Sequence, residues 1–234
     1  MKKSILTSIV LISAAFIQLV NAQNLNEILD KHFNAIGQDK LNAANSVYIK
    51  AKINQMGTEI PMVMQTKKPD KFRMEMEVMG QKMVQAYNGE KGWVIAPWIN
   101  PKPQNLSGAE LEQAKSQVNI EGDLYNYEKK GFKAEYTGTE DFNGEKAYNI
   151  QLTKKDGSVE HYFIDTDSYL ILGAKANVQG MNVTQKISDY KNIDGVMIGT
   201  TIESETPMGN TQIVMEEVNF NKDIDDSIFE RPAE

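Results

Sequence analysis

From residue 46 onward apolar and polar residues alternate with a period of two, and glycine-containing turns interrupt the alternation too often for crossover helices to fit between the runs. The clearest run is Lys71 to Val78, where Phe72, Met74, Met76 and Val78 alternate with Lys71, Arg73, Glu75 and Glu77. Val47, Ile49, Ala51 and Ile53 alternate in the same way, as do Ile60, Met62 and Met64. Turn signals stand at Gly57, Gly80, Asn88-Gly89, Asn143-Gly144, Asp156-Gly157, Gln179-Gly180, Asp194-Gly195 and Met208-Gly209. Connections this short join antiparallel neighbours. The pattern predicts a meander of about ten strands, more than stays flat, and therefore a barrel, a half-barrel or a sandwich.

Two stretches leave this period. Leu25, Ile28, Leu29, His32, Phe33 and Ile36 share one face of a 3.6-residue helix, with Asn24 and Glu27 suited to its N-terminus and Gly37 to its C-cap. Such a helix buries its stripe only against another element, here a sheet. The second stretch starts at Pro97, Pro101 and Pro103, which are expected to break strands. It continues as a helix from Ser107 to Val118, with a capping box of Ser107 and Glu110 and a narrow stripe of Leu111, Ala114 and Val118. A weakly apolar helix inserted in a meander is a candidate lid.

At the N-terminus Lys2 and Lys3 precede the apolar run Ile5 to Val20, and Val20-Asn21-Ala22 offers small residues at a cleavage site. Residues 1–22 thus read as a secretory signal peptide and residues 23–234 as a single domain. Loss of the two lysines would move the net charge from −7 to −9. No later apolar run approaches the roughly 20 residues needed to span a bilayer, so the expected location is the periplasm. The chain has no cysteine, which excludes disulfides, a thiol nucleophile and a lipid anchor following the signal peptide. An acidic chain without a basic cluster disfavours nucleic acid as a partner.

The catalytic inventory is small. The two histidines are His32, on the apolar face of the first helix, and His161, beside Glu160 in a strand-like run; both read as packed or half-exposed imidazoles. His-Glu-x-x-His, Gly-x-Ser-x-Gly and phosphate-cradling glycine patterns are missing from the sequence. Asp165/Asp167 and Asp223/Asp225/Asp226 suit turns and caps better than a hard cation. These features assign no catalytic residue, metal site or cofactor.

Methionine is the compositional anomaly, for seven of the 12 lie between Met56 and Met83. Met62 and Met64 point to one side of their strand, and Met74 and Met76 to one side of theirs. Three readings are open. The methionines are core filler, or a cavity wall that adapts to flexible apolar ligands, or thioether ligands of copper(I) without histidine or cysteine beside them. Trp93 reads as core, whereas Trp98, in the proline-rich loop, is the candidate partner contact.

Several motifs together resemble those of the LolA-like outer-membrane lipoprotein carriers, including the outer-membrane lipoprotein-sorting proteins of Bacteroidetes. They are Lys67-Lys68-Pro69-Asp70-Lys71-Phe72-Arg73, then Tyr87-Asn88-Gly89-Glu90-Lys91-Gly92-Trp93 with Pro97, the segment from Asp189-Tyr190 through Asp194-Gly195 to Ile198, and the closing Ile224-Asp225-Asp226-Ser227-Ile228-Phe229-Glu230-Arg231-Pro232. The resemblance implies a mainly β fold: a strongly curved, unclosed antiparallel half-barrel covered by the N-terminal helix and an inserted lid helix, with acyl chains held between them. It implies lipid or lipoprotein acyl chains as ligands and inner- and outer-membrane sorting components as partners. In the carriers the residue before the strand proline is an arginine that latches the lid; here that position is Lys68, a point charge instead of a planar fork.

On this reading the apolar concavity is lined by Ile49, Ile60, Met62, Met64, Phe72, Met74, Met76 and Val78, with Leu25, Ile28, Leu29 and Leu111 from the covering helices. The expected function is a non-enzymatic periplasmic carrier or binding protein for acyl chains. The alternative is an envelope interaction or sensory module with a filled core that recognises another protein.

Overall fold

The computed structural model describes residues 24–178, 180–207 and 209–233; the expected signal peptide, residues 1–22, lies outside them. The helices are α1 (24–36), α2 (Gln38–Ala43), α3 (Gly108–Ser116) and a short 3₁₀ turn at Asp226–Phe229. The strands are β1 (Ser46–Gln55), β2 (Thr58–Lys67), β3 (Lys71–Val78), β4 (Gln81–Tyr87), β5 (Gly92–Ala96), β6 (Asn100–Asn105), β7 (Lys133–Phe142), β8 (Glu145–Thr153), β9 (Val159–Asp165), β10 (Ile171–Val178), β11 (Met181–Ile193), β12 (Val196–Thr206) and β13 (Gly209–Phe220). They form one unclosed 13-stranded sheet in the order β6-β5-β4-β3-β2-β1-β13-β12-β11-β10-β9-β8-β7. Among the described residues no helix is long and apolar enough to cross a membrane.

The chain divides into two compact units. One takes the described chain up to Ala35 together with Leu124–Thr184. Its core joins Leu25, Ile28 and Leu29 of α1 to Leu124, Ile150, Leu152 and Ile164, so the helical stripe meets a sheet face as its spacing requires. His32 is buried in this unit, and its Nδ1 lies 2.8 Å from the Tyr169 carbonyl. Burial pushes the imidazole below its ordinary titration range, against the opposing effect of that hydrogen bond. His161 is half-buried, with Nδ1 3.0 Å from Asn149 Oδ1.

The other unit comprises Ile36–Asp123 and Gln185–Glu234. Gly37 ends α1 in the left-handed conformation, φ 72°, where a Cβ would lie 2.2 Å from the Gly195 carbonyl oxygen. In this unit β1 is bracketed by β2 and β13, and the meander continues through β3, β4 and β5 to β6 at the sheet edge. Pro101 and Pro103 do not break the sheet as expected, because β6 is its outermost strand, where a missing N–H needs no partner.

The strand register places Val47, Ile49, Ala51 and Ile53 beside Thr66, Met64, Met62 and Ile60, and Thr66, Met64 and Met62 beside Phe72, Met74 and Met76. These side chains share one face of the sheet. On the opposite face Val84, Ala86 and Trp93 are buried. Trp93 Nε1 donates to the Phe229 carbonyl at 2.9 Å, Arg73 Nη1 donates to the Ile228 carbonyl at 2.6 Å, and the Phe229 side chain is fully buried. The closing segment thereby straps that face. Burial pushes the Glu75 carboxyl up, but Lys82 and Arg73 beside it hold it below its ordinary range.

Candidate functional site

The methionine-rich face of the second unit has two differently covered parts. Toward the β2–β3 and β4–β5 turns, Phe72 and Tyr87 pack with Leu106 and Ala114 in one buried cluster, which Met64, Met74, Val94, Leu111 and Val118 join at its margin. The inserted helix α3 therefore lies on this part through the expected stripe of Leu111, Ala114 and Val118. It spans Gly108–Ser116, shorter than Ser107 to Val118, and Ser107 makes no side-chain cap hydrogen bond, so the expected capping box does not form. Farther along the same strands Met62 is buried with Ile49 and Ala51, while Ile53, Ile60, Met76, Val78, Met83, Ile213 and Met215 keep part of their surface exposed. An apolar strip thus runs out from beneath α3 along β1 to β4 and β13.

The chain that leaves α3 is tied down by hydrogen bonds. Lys68 Nζ donates to the Asn42 carbonyl at 2.6 Å and approaches Glu121 Oε1 at 3.3 Å. Gln38 Nε2 donates to the Glu121 carbonyl at 3.1 Å and to Asn42 Oδ1 at 2.8 Å. Lys68, the expected latch position, thus contacts α2 through Asn42 and the segment that follows α3 through Glu121. Beside this tie lies a cavity of about 570 Å³ lined by Lys68, Pro69, Asp70, Tyr87, Lys115, Val118, Asn119, Ile120 and Glu121. Its wall joins apolar surface from Tyr87, Val118 and Ile120 to two lysines and two carboxylates, a lining suited to an amphipathic guest.

Of the residues predicted to line a concavity, Ile49, Met62, Met64, Met74 and Met76 come together in one cluster, and Met64 and Met74 also meet Phe72 and Leu111 in the next. Ile60 stands opposite Ile53, and Val78 ends β3 on the same face. Leu25, Ile28 and Leu29 belong to the core of the other unit. The cavity residues Ile120 and Glu121 carried no sequence signal, because the segment after α3 has neither periodicity nor a motif; Tyr87 and Val118 were visible as a motif residue and a stripe residue. Trp93 is core at 1% exposure and Trp98 is 49% exposed. Asp165 accepts from the Ser168 backbone N–H at 2.7 Å and Asp225 from that of Ser227 at 2.8 Å, both turn or cap duties.

The fold is that of the LolA-like proteins. The chain is similar to a LolA superfamily protein from Nitrosomonas europaea, with a TM-score of 0.59 and 18% identity over 88% of this chain and 96% of that one. It is similar to a DUF1329 family protein from Desulfovibrio piger, with a TM-score of 0.57 and 18% identity over 87% of this chain and 97% of that one. It is also similar to a putative outer membrane lipoprotein-sorting protein domain from Vibrio parahaemolyticus, with a TM-score of 0.56 and 14% identity over 84% and 95%. A search by sequence finds no match among curated proteins. A family model described as "-like: Uncharacterized protein" matches residues 66–233, and the chain belongs to that family.

Proposed function

We propose that the protein is a periplasmic, non-enzymatic carrier or binding protein for lipid or lipoprotein acyl chains, which it holds on the methionine-rich face of the second unit beside α3. The observation that carries the reading is the partly covered face itself: Met64, Met74, Met76 and Met83 stay half-exposed on a face that α3 covers only in part. Unbranched thioether side chains adapt to a flexible guest at little rotameric cost. Seating ten methylenes on this strip would gain about 8 kcal/mol before the cost of ordering the chain. The neighbouring cavity, with its lysines and carboxylates, is placed to take a polar end. The names of the similar solved proteins, a LolA superfamily member and a lipoprotein-sorting domain, support the same reading. Sorting components at the two membranes are the partners it implies.

The test is an apolar fluorescent probe titrated against the protein and against the double variant Met74→Glu, Met76→Glu. Both side chains are half-exposed, so the fold should survive while probe affinity falls at least about a hundredfold, two carboxylates being costly to desolvate. Unchanged affinity in a folded double variant would refute the assignment of the face.

A further inference from the structure

The second unit presents its hairpin turns at two ends of the sheet, and the two sets differ in chemistry. One end carries the β2–β3 turn around Lys68-Pro69-Asp70, the β4–β5 turn Asn88-Gly89-Glu90-Lys91 and the β11–β12 turn Asp194-Gly195. The other end carries the β1–β2, β3–β4, β5–β6 and β12–β13 turns, and the sequence is uncharged at 53–58, 78–81, 92–101 and 206–215. In a chain that is 24% charged, four consecutive uncharged turns at one end mark that end as distinct.

Large apolar side chains stand out from three of these turns. Met56 is 81% exposed, Met79 98%, and Trp98 and Ile99 of one turn 49% and 81%. The backbone adds a second anomaly. Met56 and Met79 adopt left-handed φ values of 48° and 52°, each followed by a left-handed glycine, the geometry in which a hairpin favours Asn-Gly or Asp-Gly. The same chain uses Asn143-Gly144 and Asp194-Gly195 in that geometry elsewhere. The sequence of the β12–β13 connection repeats Met-Gly at Met208-Gly209. Methionine there is less suited to the turn than asparagine and, although the Met56 methyl lies near Gly209, both side chains leave most of their surface in water, so turn formation does not account for them.

We propose that this end of the sheet docks on a lipid bilayer, with Met56, Met79, Trp98 and Ile99 entering the headgroup–acyl boundary. Turns two strands apart are separated by about 10 Å, so the anchors form a row of separate points and not one patch. A protein hot spot needs a contiguous centre ringed by contacts, whereas a fluid interface accepts separate anchors. Uncharged turns carry no charge that must be desolvated, and an amphipathic indole suits that depth. The half-exposed strip of Ile53, Ile60, Met76, Val78 and Met83 begins behind these tips, so docking at this end would bring the near end of the apolar strip to the membrane.

The test uses unilamellar phosphatidylcholine vesicles and the emission of Trp98. The chain has two tryptophans, and Trp93 is 1% exposed with its indole N–H bonded to the Phe229 carbonyl, so a change on adding vesicles reports on Trp98. The expected result is a blue shift, quenching by lipids brominated near the headgroup end of the acyl chain, and partitioning that survives high salt. The pair Met56→Asn, Met79→Asn, which suits both turns, should keep the melting temperature and lower partitioning about a hundredfold. On a separate turn Ile99→Ser should lower it about tenfold.

Absence of shift and quenching at saturating lipid would overturn the proposal. So would partitioning that requires anionic lipid and vanishes in salt, or equal partitioning of the asparagine pair. If the asparagine pair abolished binding to another envelope protein while vesicles never bound, the surface would be a protein contact and the lipid proposal wrong. The docking does not depend on the acyl-binding reading. Probe binding without vesicle binding refutes this inference alone, and vesicle binding without probe binding refutes the other alone.

Discussion

Replacing Lys68 with methionine should loosen the segment that covers the apolar face without unfolding the unit. The ammonium group makes one hydrogen bond of 2.6 Å to the Asn42 carbonyl and one ionic contact of 3.3 Å to Glu121, and the side chains of the pair are 28% and 31% exposed. Asn42 belongs to α2, so only the Glu121 contact joins Lys68 to the segment after α3, and a partly exposed ion pair contributes about 0.2–1 kcal/mol. That energy corresponds to a factor of roughly 1.4–5 in the equilibrium between a docked and a lifted segment. Gln38 still holds the Glu121 carbonyl at 3.1 Å, so docking weakens without being abolished. Amide hydrogen exchange of residues 108–121 should accelerate by roughly that factor in Lys68→Met while the strands β1 to β4 keep their protection. An apolar probe should enter faster by a similar factor. In Lys68→Arg, which keeps the charge and can reach both acceptors, both rates should return toward the parent values. Unchanged exchange in 108–121, or acceleration spread evenly over the whole unit, would refute the latch.

Other outcomes follow from the same packing. Phe229→Ala empties a fully buried position beneath the closing segment and should cost about 3–5 kcal/mol in urea unfolding; a loss below about 1 kcal/mol would show that the strap is dispensable. His32 is buried, with a folded pKa below its ordinary value of 6.5. Its contribution to stability is therefore complete above that value and is lost as pH falls toward the folded pKa, because the unfolded chain takes up the proton first. Denaturation midpoints should decline below about pH 6.5. That part of the slope should be missing in His32→Leu, and an identical slope in the variant would remove His32 as its cause.

Much of the fold was legible because strand period and turn chemistry are local. Lys71 to Val78 alternates strictly and forms a strand of those bounds, and the stripe from Leu25 to Ile36 ends at a left-handed Gly37 as its cap chemistry required. The sheet has 13 strands against the roughly ten expected, and β6 is one of those not foreseen: Pro101 and Pro103 hide an edge strand, since whether a proline is tolerated depends on a neighbour that local sequence does not name. α2 was missed because six residues carry too little periodicity, although Gln38 within it is buried and tethers Glu121. The candidate site was legible in its methionines, which share a face by the rule of two. Its distribution was not. Leu25, Ile28 and Leu29 belong to another core because long-range packing, and not spacing, decides which sheet face a helix covers. Met56 and Met79 belong to the same methionine-rich stretch of sequence, and their turn positions and exposure set them apart from the strand methionines.

The central claim, that the methionine-rich face holds acyl chains, is tested most directly by the intact mass of the protein purified from its native envelope without detergent and recorded under native conditions. The account predicts added mass equal to one or more acyl-bearing species, displaced by an apolar probe and missing from the Met74→Glu, Met76→Glu variant. A bare chain mass that stays bare when lipid is offered would contradict it.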